Sequence, residues 1–170
     1  MSTVVVGVMG PGEGAAEMDM RLAFEMGRLI AHQGWVLVTG GREAGVMEAA
    51  SRGAKEAGGL VVGILPGITD EGMSTAVDIP IVTGMREARN LVNVLTCKVL
   101  FFVGMNAGTA SELALALKYH RPAVLVRQRD EVIRFCGAIN GRVEVAVDAE
   151  SALAAARRLL AFPPHGCTDC

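Results

Sequence analysis

Aromatic residues are scarce in this chain, with one Trp, one Tyr and five Phe among 170 residues. Positive charge is not in excess either, because 16 Lys and Arg stand against 18 Asp and Glu for a formal net charge of -2. A nucleic-acid platform needs a basic face and stacking rings, so this class of partner is excluded. No apolar run is long enough to span a bilayer. The N-terminus reads Met1-Ser2-Thr3 straight into Val4-Val5-Val6, with no basic leader and no signal-type cleavage site. The expectation is a cytoplasmic protein without a membrane partner.

Cysteine is too sparse for a disulfide framework. Cys97 and Cys136 fall in regions that read as structured, and Cys167 and Cys170 stand at the end. Cys167-Thr168-Asp169-Cys170 and the nearby His165 have metal-ligand spacing, yet one such pair and one histidine do not close a structural zinc site. No metal is expected. Residues 163–170 read as a flexible tail on a single domain of residues 1–162.

What is abundant is strand and helix signal in near-unbroken alternation. Half the residues are apolar and a fifth are charged, which suits one compact domain with a sizeable core. Val4 to Met9 is a continuous apolar run, as in a parallel strand covered on both faces. After Gly10-Pro11-Gly12-Glu13-Gly14, the spacing of Met18, Leu22, Met26, Leu29 and Ile30 predicts a helix that Gly34 ends. A strand over Trp35 to Thr39 leads to a helix over Val46 to Ala57, stopped by Gly58-Gly59. Leu60 to Leu65 is the third strand, closed by Pro66-Gly67.

Residues 68–77 are polar and read as a surface loop placed to act as a lid, followed by a short strand at Ile79 to Val82. A helix over Met85 to Thr96 would carry Arg86 and Arg89 at neighbouring positions of one face. Val99 to Val103 is the most apolar strand and therefore central, and a helix over Ala110 to Tyr119 follows. Ala123 to Val126 and Val143 to Val147 are late strands, and Asp148 is the expected N-cap of a helix over Ala149 to Leu160. The fold class is α/β: a Rossmann-like open, mostly parallel sheet with helices on both faces.

Three glycine turns fall between a strand and a helix: Gly10 to Gly14, Gly40 to Gly45, and Gly104 to Gly108. In an open sheet such turns gather at the carboxyl edge, where bare backbone N–H groups and helix N-termini face an anion. Any one of them is equally what a tight strand-to-helix turn needs. Together they point to a phosphorylated ligand. None carries the Gly-Lys-Ser/Thr of a Walker loop, and none matches the dinucleotide fingerprint, so ATP hydrolysis and hydride transfer lose their usual support.

Glu112 lies one helical turn beyond Gly108-Thr109 and is the carboxylate placed to face that ligand. A capping box in which Thr109 and Glu112 satisfy each other's backbone N–H groups, worth about 1 kcal/mol, accounts for the same spacing. Arg89 offers a planar fork for phosphate or carboxylate, against which stands a plain interhelix salt bridge with Glu112. His32 and His120 read as surface residues, and the nine Met residues as core filling.

The stretch Val38 to Gly67 carries Gly40-Gly41, Gly45-Val46-Met47, Ala57-Gly58-Gly59 and Gly63-Ile64-Leu65-Pro66-Gly67. It strongly resembles the LOG (Lonely Guy) phosphoribohydrolases, long mislabelled as lysine decarboxylases. Those enzymes hydrolyse nucleoside 5'-monophosphates to a free base and ribose 5-phosphate. Their signature pairs Met-x-x-Arg-Lys with Pro-Gly-Gly-x-Gly-Thr-x-x-Glu. Here Met85 to Asn90 resembles the first with one residue added, so that Arg89 takes the arginine position and Asn90 replaces lysine. Gly108, Thr109 and Glu112 match the second, while Gly104-Met105-Asn106 replaces its Pro-Gly-Gly opening.

That altered turn is similar to the molybdenum cofactor carrier proteins, a LOG-like branch that binds and does not hydrolyse. The resemblance implies a homo-oligomer, dimer or tetramer, with a pterin phosphate or nucleotide at the strand edge. Molybdenum cofactor is then a bound ligand that folding does not require. The candidate ligand residues are Gly10, Gly12, Gly40, Gly41, Gly45, Val46, Met47, Arg86, Arg89, Asn90, Gly104, Asn106, Gly108, Thr109 and Glu112. Arg89 and Glu112 would be catalytic in a hydrolase. A carrier, a nucleoside 5'-monophosphate phosphoribohydrolase and an oligomeric scaffold without ligand are the three functions to be separated.

Overall fold

Seven strands form one sheet in which every neighbouring pair is parallel, in the order β4-β3-β2-β1-β5-β6-β7. A computed structural model describes residues 3–139 and 142–161. The elements run β1 Val5–Met9, α1 Glu17–His32, β2 Val36–Thr39, α2 Gly45–Glu56, β3 Val61–Leu65 and β4 Ile79–Val82. A short 3-10 turn at Arg86–Ala88 leads into α3 Arg89–Thr96, then β5 Val99–Val103, α4 Ala107–Lys118 and β6 Ala123–Val126. The chain continues through α5 Asp130–Ala138, β7 Val143–Ala146 and α6 Ala149–Ala161. The tail with its Cys167 and Cys170 pair lies outside the described residues.

Alternate side chains of the central strands feed two cores, as the two-residue period of a strand requires. Val6, Val8, Phe101 and Val103 pack with Ala23, Met26 and Ile30 of α1, Val46 and Ala50 of α2, and Ala152 and Ala156 of α6. Met9, Leu100 and Phe102 point to the other face, against Val94 of α3, Leu113 and Leu117 of α4, and Cys136 of α5. Each β5 residue is buried, as its unbroken apolar run requires. Helices α1 and α2 meet backbone to backbone, since a Cβ on Gly27 would lie 2.1 Å from the Ala50 carbonyl oxygen.

The strand order reverses beside β1, which pairs with β2 on one side and β5 on the other. Chains leaving neighbouring strands at this point turn to opposite faces and open a crevice at the carboxyl edge. The first and third glycine turns border it.

Three local expectations change. The helix expected over 85–96 is broken, because Arg86 has φ 50° and α3 begins only at Arg89, so Arg86 and Arg89 share no helix face. The break follows from the path, in which the chain leaves edge strand β4 through a turn where the Arg86 N–H bonds the Pro66 carbonyl. Only the first half of 68–77 is a free surface loop. The Ser74 N–H bonds the Gly41 carbonyl, the Glu43 N–H bonds the Gly72 carbonyl, and Ser74, Ala76 and Val77 are buried, which ties the segment to the second glycine turn. The third difference is α5, between the two late strands, where Val132, Ile133 and Cys136 make a short apolar stripe in a charged stretch. Asp148 does cap α6, accepting the Ser151 N–H at 2.7 Å.

Candidate functional site

A cavity of about 290 Å³ opens at the reversal of strand order. Val8 and Met9 at the end of β1, then Gly10, Gly12 and Glu13, form one wall. Gly40, Arg42 and Met47 come from the β2–α2 turn and the first turn of α2. Arg89 and Asn90 come from the start of α3, and Asn106, Gly108, Thr109 and Glu112 from the start of α4.

Gly45 locks the first two turns together. Its φ is 50°, and a Cβ there would stand 2.1 Å from the Gly12 carbonyl oxygen, while the Val46 N–H bonds the Pro11 carbonyl at 2.9 Å. Gly45 and Val46 therefore hold the wall without lining it. Gly40 has a different task. A Cβ on it would lie 2.7 Å from both terminal nitrogens of Arg89, so the missing side chain is the space that the guanidinium occupies.

The second cradle departs from the capping box that its sequence suggested. Helix α4 begins at Ala107, earlier than the spacing indicated, and Asn106 is its N-cap. Asn106 Oδ1 accepts the Thr109 N–H at 2.9 Å and the Thr109 hydroxyl at 3.0 Å. An Asn at this position outcompetes Thr109 because its side-chain oxygen reaches the third N–H of the helix while its own backbone stays extended. Glu112 is thereby released from capping and sits inside the helix, facing the cavity. The first-turn amides around Gly108 lack intrahelical carbonyls and turn the positive end of α4 toward the same space.

Arg89 and Glu112 are both nearly buried, at 9% and 6% exposed. Their closest approach is 3.9 Å from Nη1 to Oε1, an ion pair too long for a hydrogen bond. Arg89 Nε is buried and has no hydrogen-bond partner. Burial pulls the Arg89 pKa down, the Glu112 charge pulls it back up, and the nearby Arg42 lowers it further. For Glu112, burial outweighs the opposing hydrogen bond from Asn93 and the Arg89 charge, and its carboxyl is pushed up to about 6.

Asn93, one helical turn beyond Arg89, is fully buried behind Glu112 and donates from Nδ2 to Oε1 at 2.8 Å. Asn90 Nδ2 donates to the Ser111 hydroxyl at 2.8 Å and ties α3 to α4. Gln128 Nε2 braces the turn after β5 by donating to the carbonyls of Phe102 and Gly104. At the mouth, Arg42 faces Glu13 at 3.7 Å, both well exposed.

Of the sequence candidates, Gly10, Gly12, Gly40, Met47, Arg89, Asn90, Asn106, Gly108, Thr109 and Glu112 line this one cavity. Gly41, Gly45, Val46, Gly104 and Arg86 do not. Gly41 and Gly104 have positive φ and shape the turns, and Arg86 is exposed on the far side of the break before α3. His32 and His120 lie outside the cavity and are exposed. Sequence reasoning missed Val8, Met9, Glu13 and Arg42 on the lining and Asn93 beside Glu112. The four-residue step from Arg89 to Asn93 was the one available signal, since it places both on one helix face.

An open parallel sheet with a cation-bearing cavity at its switch point defines a Rossmann-like ligand-binding domain. The SLOG cluster4 family matches residues 3–153, and the chain belongs to that family. It stands within the LOG superfamily on the molybdenum cofactor carrier side, as its altered second turn suggested. An uncharacterized protein of Archaeoglobus fulgidus is 48% identical over 118 residues, covering 69% of this chain and 76% of its own. The molybdenum cofactor binding protein of the phototrophic bacterium Rippkaea orientalis has a TM-score of 0.91 and 45% identity, covering 94% of this chain and 99% of its own. The molybdenum cofactor carrier protein of Chlamydomonas reinhardtii gives 0.90 and 48%, with 95% and 100% covered.

Proposed function

We propose that this chain binds molybdenum cofactor, as cargo, at the carboxyl edge of its sheet, and that the cofactor's terminal phosphate docks against Arg89 and the N-terminus of α4. One observation carries the reading: a guanidinium that is nine-tenths buried, with its Nε unpartnered and no hydrogen bond to any other described residue, looks into a cavity. A buried cation costs several kcal/mol unless an anion completes it, and the 3.9 Å approach of Glu112 does not supply the missing hydrogen bonds. A phosphate meets both the charge and the fork geometry of arginine. Asn90 and Asn106 offer neutral polar contacts beside it for a heterocycle. The molybdenum cofactor proteins of Rippkaea orientalis and Chlamydomonas reinhardtii, similar along nearly the whole chain, support this choice of ligand. Holding a cargo requires no bond to be made or broken in it.

The test is expression in cells that make the cofactor, followed by measurement of molybdenum and pterin in the purified protein. Both should co-purify with wild type and be reduced at least about tenfold in Arg89→Ala, the cost of one charge-assisted contact. Wild-type protein free of both, at full cofactor supply, would overturn the carrier reading.

Phosphoribohydrolase activity is the second reading, and Glu112 is the observation in its favour, since a carboxyl pushed up to about 6 on the wall of a cavity suits acid-base work. Release of free base from a panel of nucleoside 5'-monophosphates, lost in Glu112→Ala, would establish it. We expect no such release.

A further inference from the structure

We propose that Asn93 is a positioning residue that serves Glu112 in both of its charge states, so that an anion docking on Arg89 is accompanied by uptake of one proton from solvent onto Glu112. The inference rests on the reading of Arg89 as the anion contact.

The geometry leaves little room for any other outcome. Arg89 Nη1 stands 3.9 Å from Glu112 Oε1, so an oxyanion that bonds this guanidinium comes within a few ångströms of the carboxylate in a nearly buried corner of the cavity. Two like charges at that separation in a buried site do not both stay ionised. Sulfate or a phosphate dianion keeps its charge on Arg89, and the carboxylate takes the proton.

Asn93 is built to accept that change. It is fully buried, its Nδ2 donates to Glu112 Oε1 at 2.8 Å, and its Oδ1 is buried without a partner. A carboxylate needs the amide donor, and a carboxylic acid needs an acceptor. A half-turn of the planar amide about its terminal bond exchanges one for the other, and among the described residues the further hydrogen bond of Nδ2 is a weak one to Met9 Sδ at 3.9 Å. A lysine in that place, with donors alone, would favour the charged state only. The unpartnered Oδ1 is the acceptor that the protonated form requires.

The other groups around Glu112 leave it as the one poised to titrate. Arg89 faces it from α3, and the Cys97 thiol, at the end of the same helix, is pushed above the ordinary thiol range by burial and by the Glu112 charge, so it stays protonated. Across the cavity the β2–α2 turn contributes Arg42 and the β1–α1 turn contributes Glu13, which face each other. Glu87, before α3, acts on Arg89. Burial already holds the Glu112 carboxyl at about 6, close to neutrality. The consequence is a site that grips its ligand in mild acid and loosens as pH rises.

The experiment is titration calorimetry with sodium sulfate, an anion that stays fully ionised, and with adenosine 5'-monophosphate as a phosphate probe. Wild type, Glu112→Gln, Asn93→Leu and Arg89→Ala are compared at about pH 7 in buffers of different ionisation heat, and then across about pH 5.5 to 8. Wild type should take up between about half and one proton per sulfate, with affinity falling up to about tenfold per pH unit above the Glu112 transition. Glu112→Gln should bind sulfate more tightly than wild type at about pH 7, with no proton uptake and a flat pH profile. Asn93→Leu removes the donor that favours the charged form, so the pH midpoint should move up and the uptake at neutrality should shrink.

Wild-type uptake no greater than that of Glu112→Gln, or an unmoved midpoint in Asn93→Leu with native circular dichroism, overturns the inference and leaves the anion site standing. Failure of both anions to bind wild type, or binding that ignores Arg89→Ala, overturns the anion site and this inference with it. Glu112→Gln preserves shape and decides the proton uptake on its own, and where Asn93→Leu fails to fold, the smaller Asn93→Ala reads the midpoint in its place.

Discussion

Glu112 is costly to the empty protein. Its carboxyl rises from 4.5 to about 6 on folding because burial outweighs the Asn93 hydrogen bond and the Arg89 charge. A raised carboxyl contributes stability that is fully present below its unfolded value and is lost as pH climbs through its folded value. The shift corresponds to about 2 kcal/mol, so Glu112→Gln should gain about that much on wild type between about pH 4 and pH 8. Urea unfolding at both ends of this range checks it. A stability difference that is constant with pH would mean that Glu112 is not desolvated as described. Such tension is what a binding corner looks like before its ligand arrives, with Arg89 underbonded and Glu112 overcharged.

At this scale the sequence was only partly legible. Arg89 and Glu112 stood out because a resemblance and a helical spacing both pointed to them. Thr109 misled, since a capping box is a local rule and Asn106, three residues earlier, satisfied the helix end first. Arg42 and Glu13 were invisible because their meeting depends on two turns brought together across the sheet, which no spacing in the chain encodes.

Among the elements, the pairing of α1 with α2 is the most demanding. Gly27 and Gly53 let the helices touch, and a Cβ on Gly53 would fall 1.9 Å from the Phe24 carbonyl oxygen. Backbone atoms cannot rotate aside as a side chain can. Gly27→Ala should therefore cost about 1–3 kcal/mol despite the better helix propensity of alanine, read as a lower urea midpoint. A variant as stable as wild type would show that the two helices separate freely. Strands and long helices were legible because each has one period and one buried face, as β5 and α1 show. The break before α3 was not, because Arg86 takes a left-handed φ for the sake of a bond to Pro66, a long-range demand on a sequence that reads as helix. Helix α5 was missed since its stripe is three residues wide and leaves Phe135 half exposed.

For the whole molecule, the edge of the sheet at β4 is the exposed feature. Ile79, Ile81 and Val82 on the strand, with Ile68 and Met85 beside it, are all more than two-fifths exposed. Pro80 in the middle of the strand lacks an N–H, which discourages another strand from adding there. An apolar patch of this kind suits packing by side chains against a second copy. We expect sedimentation to give a dimer or tetramer, and Ile81→Glu to shift it to a smaller species. A wild-type monomer at all concentrations would overturn the homo-oligomer that the resemblance implies.

The position of β1 between β2 and β5 has a consequence for how the gene can drift. Every residue that lines the cavity comes before position 113, because the strands that border the crevice are all drawn from the first two-thirds of the chain. The last third, from β6 through α6, extends the sheet and its core, and Gln128 braces the turn after β5 from there. Deep mutational scanning scored on ligand retention should split accordingly. The early segments would tolerate few side chains at the lining positions, and the late ones would accept any sequence that still fills the core.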